Sequence, residues 1–316
     1  MRKVIVISLL IMVFIGKSNA QDPHFSQFYA APTFLSPSLA GSTGGTRFVT
    51  NYRNQWPGIK NAYRTFAFST DLYINKYKSG LGVILVTDKA GTANLNTTNL
   101  GFQYSYRVKM GTRWQFIPGL QFTLGQKTID VMKLTFSDEL FTGGSSGSDA
   151  MFSDARVGYV DFAVSGFVFS RGLWAGAVLD HILEPEYSFL GEQTQIPLKA
   201  VFFGGFNMWR ERSSRIEEPR RASLVYRFQN QGGFNQLDLG TYWYNKMLEF
   251  GLWYRGVPLL NDDSGMIDNE ALVFLIGIVK GSFKVGYSYD IQLSNLAHNG
   301  GGAHEISMMF EMSELF

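Results

Sequence analysis

The chain has 316 residues, of which 15% are aromatic and only 17% charged, with 34 Gly, no Cys and a formal net charge of +2. Without Cys there are no disulfides, thiolate metal sites, cysteine nucleophiles or cysteine-linked lipid. A balance so near neutral argues against a nucleic-acid partner, and the charged fraction falls below the roughly 25% of soluble domains.

Residues 1–20 read as a secretory signal. Arg2 and Lys3 form a positive end, Val4 to Ile15 is apolar, and Ser18-Asn19-Ala20 supplies small residues for cleavage before Gln21. The apolar run is short for a membrane helix, and no later stretch approaches the ~18 apolar residues a helical span needs. If the mature chain enters a membrane, it does so as strands. The sequence divides into this signal (1–20), an N-terminal plug or periplasmic segment (21–45) and a strand-built body (46–316).

Gln21 to Gly41 has no strand alternation, and Pro23, Pro32 and Pro37 break helix and sheet alike. Phe25, Phe28, Tyr29, Phe34, Leu35 and Leu39 are too apolar for a free tail. The expectation is an ordered, irregular segment packed inside or beneath the body.

Strand patterns follow to the end of the chain. Phe48 to Tyr52 stops at Trp56-Pro57-Gly58, Thr65 to Ile74 puts Phe66, Phe68, Leu72 and Ile74 on one face, and Leu81 to Val86 is apolar. In Asn99 to Val108, Leu100, Phe102, Tyr104 and Tyr106 alternate with Gly101, Gln103, Ser105 and Arg107. A strand turns such residues to opposite faces, one greasy and one polar. Phe116 to Leu124 alternates likewise, 129–153 reads as a Gly/Ser-rich loop, and Val160 to Phe169 pairs with Leu173 to Leu179 around Arg171-Gly172. After a loop at 183–197 come Leu198 to Phe206, a charged connection at 210–221, and alternating runs at 222–228, 237–243 and 249–255. A loop is expected at 256–269, strands at 272–279 and 283–290, a glycine-rich loop at 295–302, and a last strand through Ile306, Met308 and Phe310.

These are roughly 14 strands, an even number as single-chain outer-membrane barrels require. Long and short connections alternate, as outer loops and periplasmic turns do in such barrels, whereas a soluble sandwich has no reason to alternate. The charged 210–221 connection breaks the rule. Tyr104, Tyr106, Tyr226, Trp243, Tyr254, Tyr287 and Tyr289 fall near strand ends on the apolar face, which suits interfacial girdles. The expected fold is therefore all-β: a transmembrane antiparallel barrel in the outer membrane, with lipid as its first partner.

No catalytic, metal or cofactor site is expected. His304-Glu305 lacks the second His of a zinc-protease helix, and His181-Ile182-Leu183-Glu184 lacks a third ligand. Ser294, His298 and Asp290 share one loop region, but nothing enforces triad geometry. Gly300-Gly301-Gly302 lacks the Lys and the helix of a phosphate loop. The charged connection is either a solvated turn or a docking surface for a periplasmic partner.

Three motifs carry a resemblance. Gln21-Asp-Pro-His-Phe-Ser-Gln-Phe-Tyr29 with Pro32, Leu35, Pro37, Ala40 and Gly41, then Tyr52-Arg-Asn-Gln-Trp-Pro57, then Tyr287-Ser-Tyr-Asp290 with His304-Glu-Ile-Ser307, resemble the PorP/SprF family. The resemblance implies an outer-membrane barrel of the Bacteroidetes type IX secretion system. It implies a non-enzymatic role in secreting or surface-attaching a cargo protein with a C-terminal sorting domain, possible cargo including gliding adhesins, and contact with periplasmic secretion and gliding components. The competing reading is a passive channel for small hydrophobic or polar solutes. Candidate contacts for a plug or partner are Phe25, Gln27, Phe28 and Tyr29 in the leader, Arg53, Asn54, Gln55 and Trp56 at the first strand's outer end, and His304 and Glu305 in the last strand. The donors and flat ring of residues 53–56 suit either fixing the leader in the lumen or holding a protein ligand.

Overall fold

The computed structural model describes residues 22–130, 156–189, 194–210, 220–261, 267–293 and 300–312. The signal-like stretch with its cleavage position, most of the 129–153 loop, Ser294, His298 and the middle of the 210–221 connection lie outside the described residues.

The body is a closed antiparallel barrel. Its strands are β1 (Thr46–Gln55), β2 (Tyr63–Ile74), β3 (Ser79–Ala90), β4 (Leu95–Tyr106), β5 (Val108–Met110), β6 (Trp114–Thr128), β7 (Arg156–Phe169) and β8 (Leu173–Asp180). They continue as β9 (Lys199–Arg210), β10 (Arg221–Gln231), β11 (Phe234–Asn245), β12 (Leu248–Asn261), β13 (Ile267–Lys280), β14 (Phe283–Gln292) and β15 (Ala303–Met312). Each pairs with its neighbours in sequence, and β1 pairs with β15 from Thr46↔Met312 to Gln55↔Ala303. The three-residue β5 prolongs β4 beyond Arg107, and both pair with β6, so the wall is a closed ring of 14 strands. Closure leaves no backbone edge exposed to lipid, which is the condition for crossing a bilayer with strands.

Alternation sets the two faces. Along β4, Phe102, Tyr104 and Tyr106 point outward, at 46%, 45% and 41% exposed, while Gly101, Gln103 and Ser105 are buried on the lumen side. β2 turns Phe66, Phe68 and Leu72 out and Thr65, Ser69 and Asp71 in. β12 turns Phe250 and Leu252 out and Glu249, Trp253 and Arg255 in. Seven connections fall at one end of the barrel, among them residues 129–155 and 181–198; we call this the loop end. At the other, the turn end, 75–78, 170–172, 246–247 and 281–282 are tight, and 211–220 is the longer exception.

Three sequence expectations need correction. The 256–269 loop is mostly strand: β12 runs to Asn261 and β13 starts at Ile267. Pro258 and Gly256 look like turn chemistry, but the ladder absorbs them through register shifts at Arg255/Gly256 and Val257/Asn261, with Gly256 at φ 146°. Gly232-Gly233, at φ 58° and 90°, closes β10 to β11 with two residues on the end where long loops were expected. Tyr226, Tyr254 and Tyr287 lie mid-strand rather than near an end.

The core lies inside the barrel. Leader residues Phe28, Leu35 and Leu39 pack on Val201, Phe203, Val225, Tyr242, Trp253, Val273 and Leu275 of the inner wall. A second cluster joins Phe25 and Ala31 to Ala67, Ile84 and Val86. Full burial of rings such as Phe25 and Phe28 stabilises by about 1.5–3 kcal/mol each.

Candidate functional site

The leader runs down the lumen from the loop end to the turn end. Its prolines forbid regular structure, so it forms single turns: a 3-10 turn at Phe28–Ala30, one α-turn at Pro32–Leu35 and a second 3-10 turn at Pro37–Leu39. Such a chain leaves many backbone groups unpaired within itself, and the barrel wall supplies the partners.

The densest contact is with β1, β12, β14 and β15. Ser26 and Gln27 donate their backbone N–H groups to the two carboxylate oxygens of Glu305, at 2.7 and 3.0 Å. The Gln27 amide donates to the Glu305 carbonyl at 3.1 Å and to Ser288 Oγ at 3.2 Å, and Ser307 Oγ donates to Gln27 Oε1 at 2.7 Å. Arg53 donates to Ser26 Oγ at 2.7 Å and to Asp290 at 2.9 Å, with Glu305 at 3.4 Å. Arg255 reaches Ser26 Oγ at 3.0 Å, Asp290 at 3.1 Å and Asp238 at 2.8 Å. Arg53, Arg255, Asp290 and Glu305 are each about 95% buried or more. Ions so deeply desolvated are stable only when each is matched, and here two guanidinium groups face two carboxylates across one serine hydroxyl.

His24 lies beside this network, accepting from Arg255 at Nε2, 3.0 Å away. Burial, then the Arg255 and Arg53 charges, push its pKa well below the ordinary histidine value, so it stays neutral. Further down, Phe28 packs edge-on against Trp253 with ring centres 4.7 Å apart, and the Arg227 guanidinium lies over the Phe28 ring, 4.9 Å from its centre. Tyr29 donates its hydroxyl to the Gly204 carbonyl at 2.9 Å. At the turn end, Arg47 pairs with Asp71 at 2.9 Å and donates to the Leu39 carbonyl at 3.0 Å, while the Gly41 N–H donates to Asp71 at 2.7 Å. Gly80 and Gly119 let the leader touch the wall backbone: a Cβ on the first would strike the Ala40 carbonyl, and one on the second the Ser38 backbone.

At the loop end Asp22 and His181 tie the start of the described leader to the wall. His181 Nδ1 is 2.5 Å from Asp161, and its Nε2 is 2.7 Å from Asp22, which Lys199 also reaches at 3.0 Å. Burial favours the neutral imidazole, but the Asp22 and Asp180 charges outweigh it and push the His181 pKa up to about 10. Burial opposes the Asp22 charge too, yet Lys199 and His181 hold its pKa well below the carboxylate range. Asp22, Asp180 and His181 place ligand-type atoms within 4.8 Å of one another, but the Lys199 ammonium already supplies positive charge there. Beside the leader a cavity of about 600 Å³ remains, lined on the wall by Tyr63, Asp88, Lys127 and Tyr159 and on the leader by His24 and Phe34.

Of the ten residues singled out in the sequence, Phe25, Gln27, Phe28, Tyr29, Arg53 and Glu305 meet at the leader–wall contact. Gln55 and Trp56 line the cavity, and the Trp56 backbone N–H donates to the Gly302 carbonyl at 2.8 Å. Asn54 and His304 face each other in the ladder on the outer surface, where His304 Nδ1 sits 2.8 Å from the Tyr287 hydroxyl; neither is turned to the leader. Sequence reasoning missed Ser26, Arg255, Asp22, His181 and the Arg47–Asp71 pair. The available signal was a charge on a lumen-facing strand position, visible for Arg47, Asp71 and Arg255.

A plugged, closed barrel with this leader fits the sequence match. The chain matches the family described as "Type IX secretion system membrane protein PorP/SprF" over residues 17–310. It belongs to the PorP/SprF family. The family is one of secretion-system membrane proteins, not of enzymes. No curated protein matches the chain in sequence. Among solved structures it resembles the CymD monoaromatic hydrocarbon channel, at 9% identity and a TM-score of 0.47, covering 91% of this chain and 94% of that one. CdiB from Acinetobacter baumannii matches at 7% identity and 0.43, covering 84% and 60%, and a mutant of the Rh. blastica porin at 8% and 0.35, covering 84% and 98%. These likenesses are too distant to carry function to this PorP/SprF chain.

Proposed function

We propose that this PorP/SprF protein is a non-enzymatic outer-membrane component of type IX secretion that supports export or surface attachment of one cargo protein. The cargo carries a C-terminal sorting domain, a gliding adhesin being one such cargo, and the barrel docks to periplasmic machinery at its turn end. The observation that supports a scaffold over a solute channel is the leader, tied to the wall through Asp22 at the loop end and hydrogen-bonded to the buried Arg53–Asp290 and Arg47–Asp71 pairs of the wall further down the lumen. A passive channel gains nothing from so costly a plug, whereas a docking scaffold needs only a rigid, closed body. The loops beside the cavity offer the cargo-facing surface, and Trp56 and Gln55 line the same opening.

Deletion of the gene tests this. Surface display of one cargo is expected to be lost while other type IX substrates are still exported, as read by surface proteomics. Unchanged display of every cargo overturns the proposal. Crosslinking in intact outer membranes is expected to recover that cargo together with periplasmic secretion components.

A further inference from the structure

The turn end of the barrel carries a ring of positive charge. Exposed cations stand at every turn around this rim: Lys78 after β2, Arg113 before β6, Arg171 between β7 and β8, Arg210 at the end of β9, Lys246 between β11 and β12, and Lys280 at the end of β13. Lys76, Lys109 and Arg220 reinforce three of these turns. Among the described residues, the one exposed carboxylate at this rim is Glu311. In the sequence between Arg210 and Arg220, Arg212 and Arg215 stand against Glu211, Glu217 and Glu218, one net negative charge against the nine exposed cations named above. The loop end differs: there exposed Lys60, Arg64, Lys89 and Arg156 are mixed with exposed Glu184 and Glu186.

A second observation coincides with the first. The three tryptophans exposed on the outer wall, Trp114, Trp209 and Trp243, all lie within the first or last residues of their strands at this same rim. Tyr77, Met110, Met247 and Phe283 stand exposed there too, each within three residues of a Lys or Arg. Indole rings prefer headgroup depth, where an apolar face and a polar N–H are both satisfied. Lysine and arginine beside them extend into the phosphate layer while their stems stay in the apolar zone.

We propose that this rim is a binding surface for anionic phospholipid headgroups, which form an annulus around the turn end. The circular distribution favours lipid over protein. An acidic protein partner would select a patch on one side or over the mouth. A bilayer leaflet meets the barrel around its whole circumference, and only a ligand of that shape uses a cation at every turn. Each cation near an anionic surface adds a modest attraction that salt screens, so the ring acts by summation. The inference stands apart from the secretion role, since it concerns the lipid contact of the folded barrel alone.

The test uses the full mature barrel refolded into phosphatidylcholine bilayers containing either brominated phosphatidylglycerol or brominated phosphatidylcholine at equal fraction. Bromine quenches tryptophan on contact, and Trp114, Trp209 and Trp243 report from the rim. The expected result is severalfold tighter association of phosphatidylglycerol at low salt, falling to parity in about 1 M salt. In a barrel with Lys78, Arg113, Arg171, Arg210, Lys246 and Lys280 each changed to Gln, the preference should disappear while the folded electrophoretic mobility is kept. Equal quenching by the two lipids at low salt overturns the proposal, as does a preference that the six substitutions leave unchanged. If the variant does not fold, the salt titration of the unsubstituted protein decides alone. Absence of lipid preference together with salt-sensitive binding of polyglutamate would assign the rim to an acidic protein and equally overturn the lipid reading.

Discussion

Arg53 sits where three segments of chain distant in sequence converge: the leader at Ser26, β14 at Asp290 and β15 at Glu305. Removing its charge leaves Glu305 buried without a cation and Asp290 with Arg255 alone. Breaking a buried pair in this way costs about 3–5 kcal/mol. Arg53→Ala is therefore expected to lose about 3 kcal/mol in a urea titration of the lipid-embedded barrel, the remaining Arg255 contact keeping it at the low end of that range. A loss below about 1 kcal/mol would place the network's weight elsewhere. His181 gives a pH signature. Its pKa is raised in the folded barrel to about 10, from an ordinary value near 6.5. Its imidazolium therefore contributes stability fully below pH ~6.5, and that contribution fades as pH climbs through about 10. Asp22, whose pKa is depressed, contributes above the unfolded carboxylate range and loses that contribution as pH falls through its folded value. The tie between leader and wall is thus firmest from mildly acidic to mildly basic pH. An NMR titration should find the His181 ring still doubly protonated at pH 8, and a ring already neutral at pH 7 would contradict the geometry.

At the scale of elements, one two-residue rhythm decides both faces of every strand. Phe102, outward and central in β4 between Val83 and Phe122, meets the middle of the apolar band. Phe102→Arg is expected to cost about 2–4 kcal/mol in a folding equilibrium in lipid, the cost of arginine at the bilayer midplane. Free tolerance of arginine there would reverse the assignment of faces. The leader obeys a different rule. It has no ladder of its own, so its place depends on close approach to the wall at Gly80 and Gly119. Gly119→Val should push the Pro37–Leu39 turn off the wall without disturbing the β4–β6 ladder, because the new side chain points to the lumen. Protease cutting within 22–42 is expected to rise at least tenfold while strand content by circular dichroism stays constant.

For the molecule as a whole, a leader seated along the lumen is expected to block passage through the barrel. Planar-bilayer recording of the intact protein should give no steady conductance. Deleting residues 22–42 should give an ion-conducting pore, provided the truncated wall still closes. A conducting intact protein would favour the solute-channel reading over the scaffold. The same closure explains the tolerance of charge within the lumen. Asp161, Asp238, Asp290 and Glu305 are all buried, yet each faces an arginine of another strand or, for Asp161, the histidine that follows β8.

The sequence by itself determined the class of this molecule. A side-chain period of two, aromatic on one face and small or polar on the other, has one stable outcome in lipid, a closed barrel, because every backbone group must find a partner within the wall. The same period read the outward residues of β2, β4, β12 and β14 correctly, since facing depends only on parity along one strand. It could not read what those parities bring together across the lumen. The pairing of Arg53 with Asp290 spans 237 residues and that of His181 with Asp22 spans 159, and neither leaves a local pattern. His181 looked like a lone histidine at a strand end because its partners belong to the leader and to β7. The path of the leader, the matched ions that hold it and the cation ring at the turn end exist only once the wall closes, since curvature alone makes neighbours of residues that the chain keeps far apart.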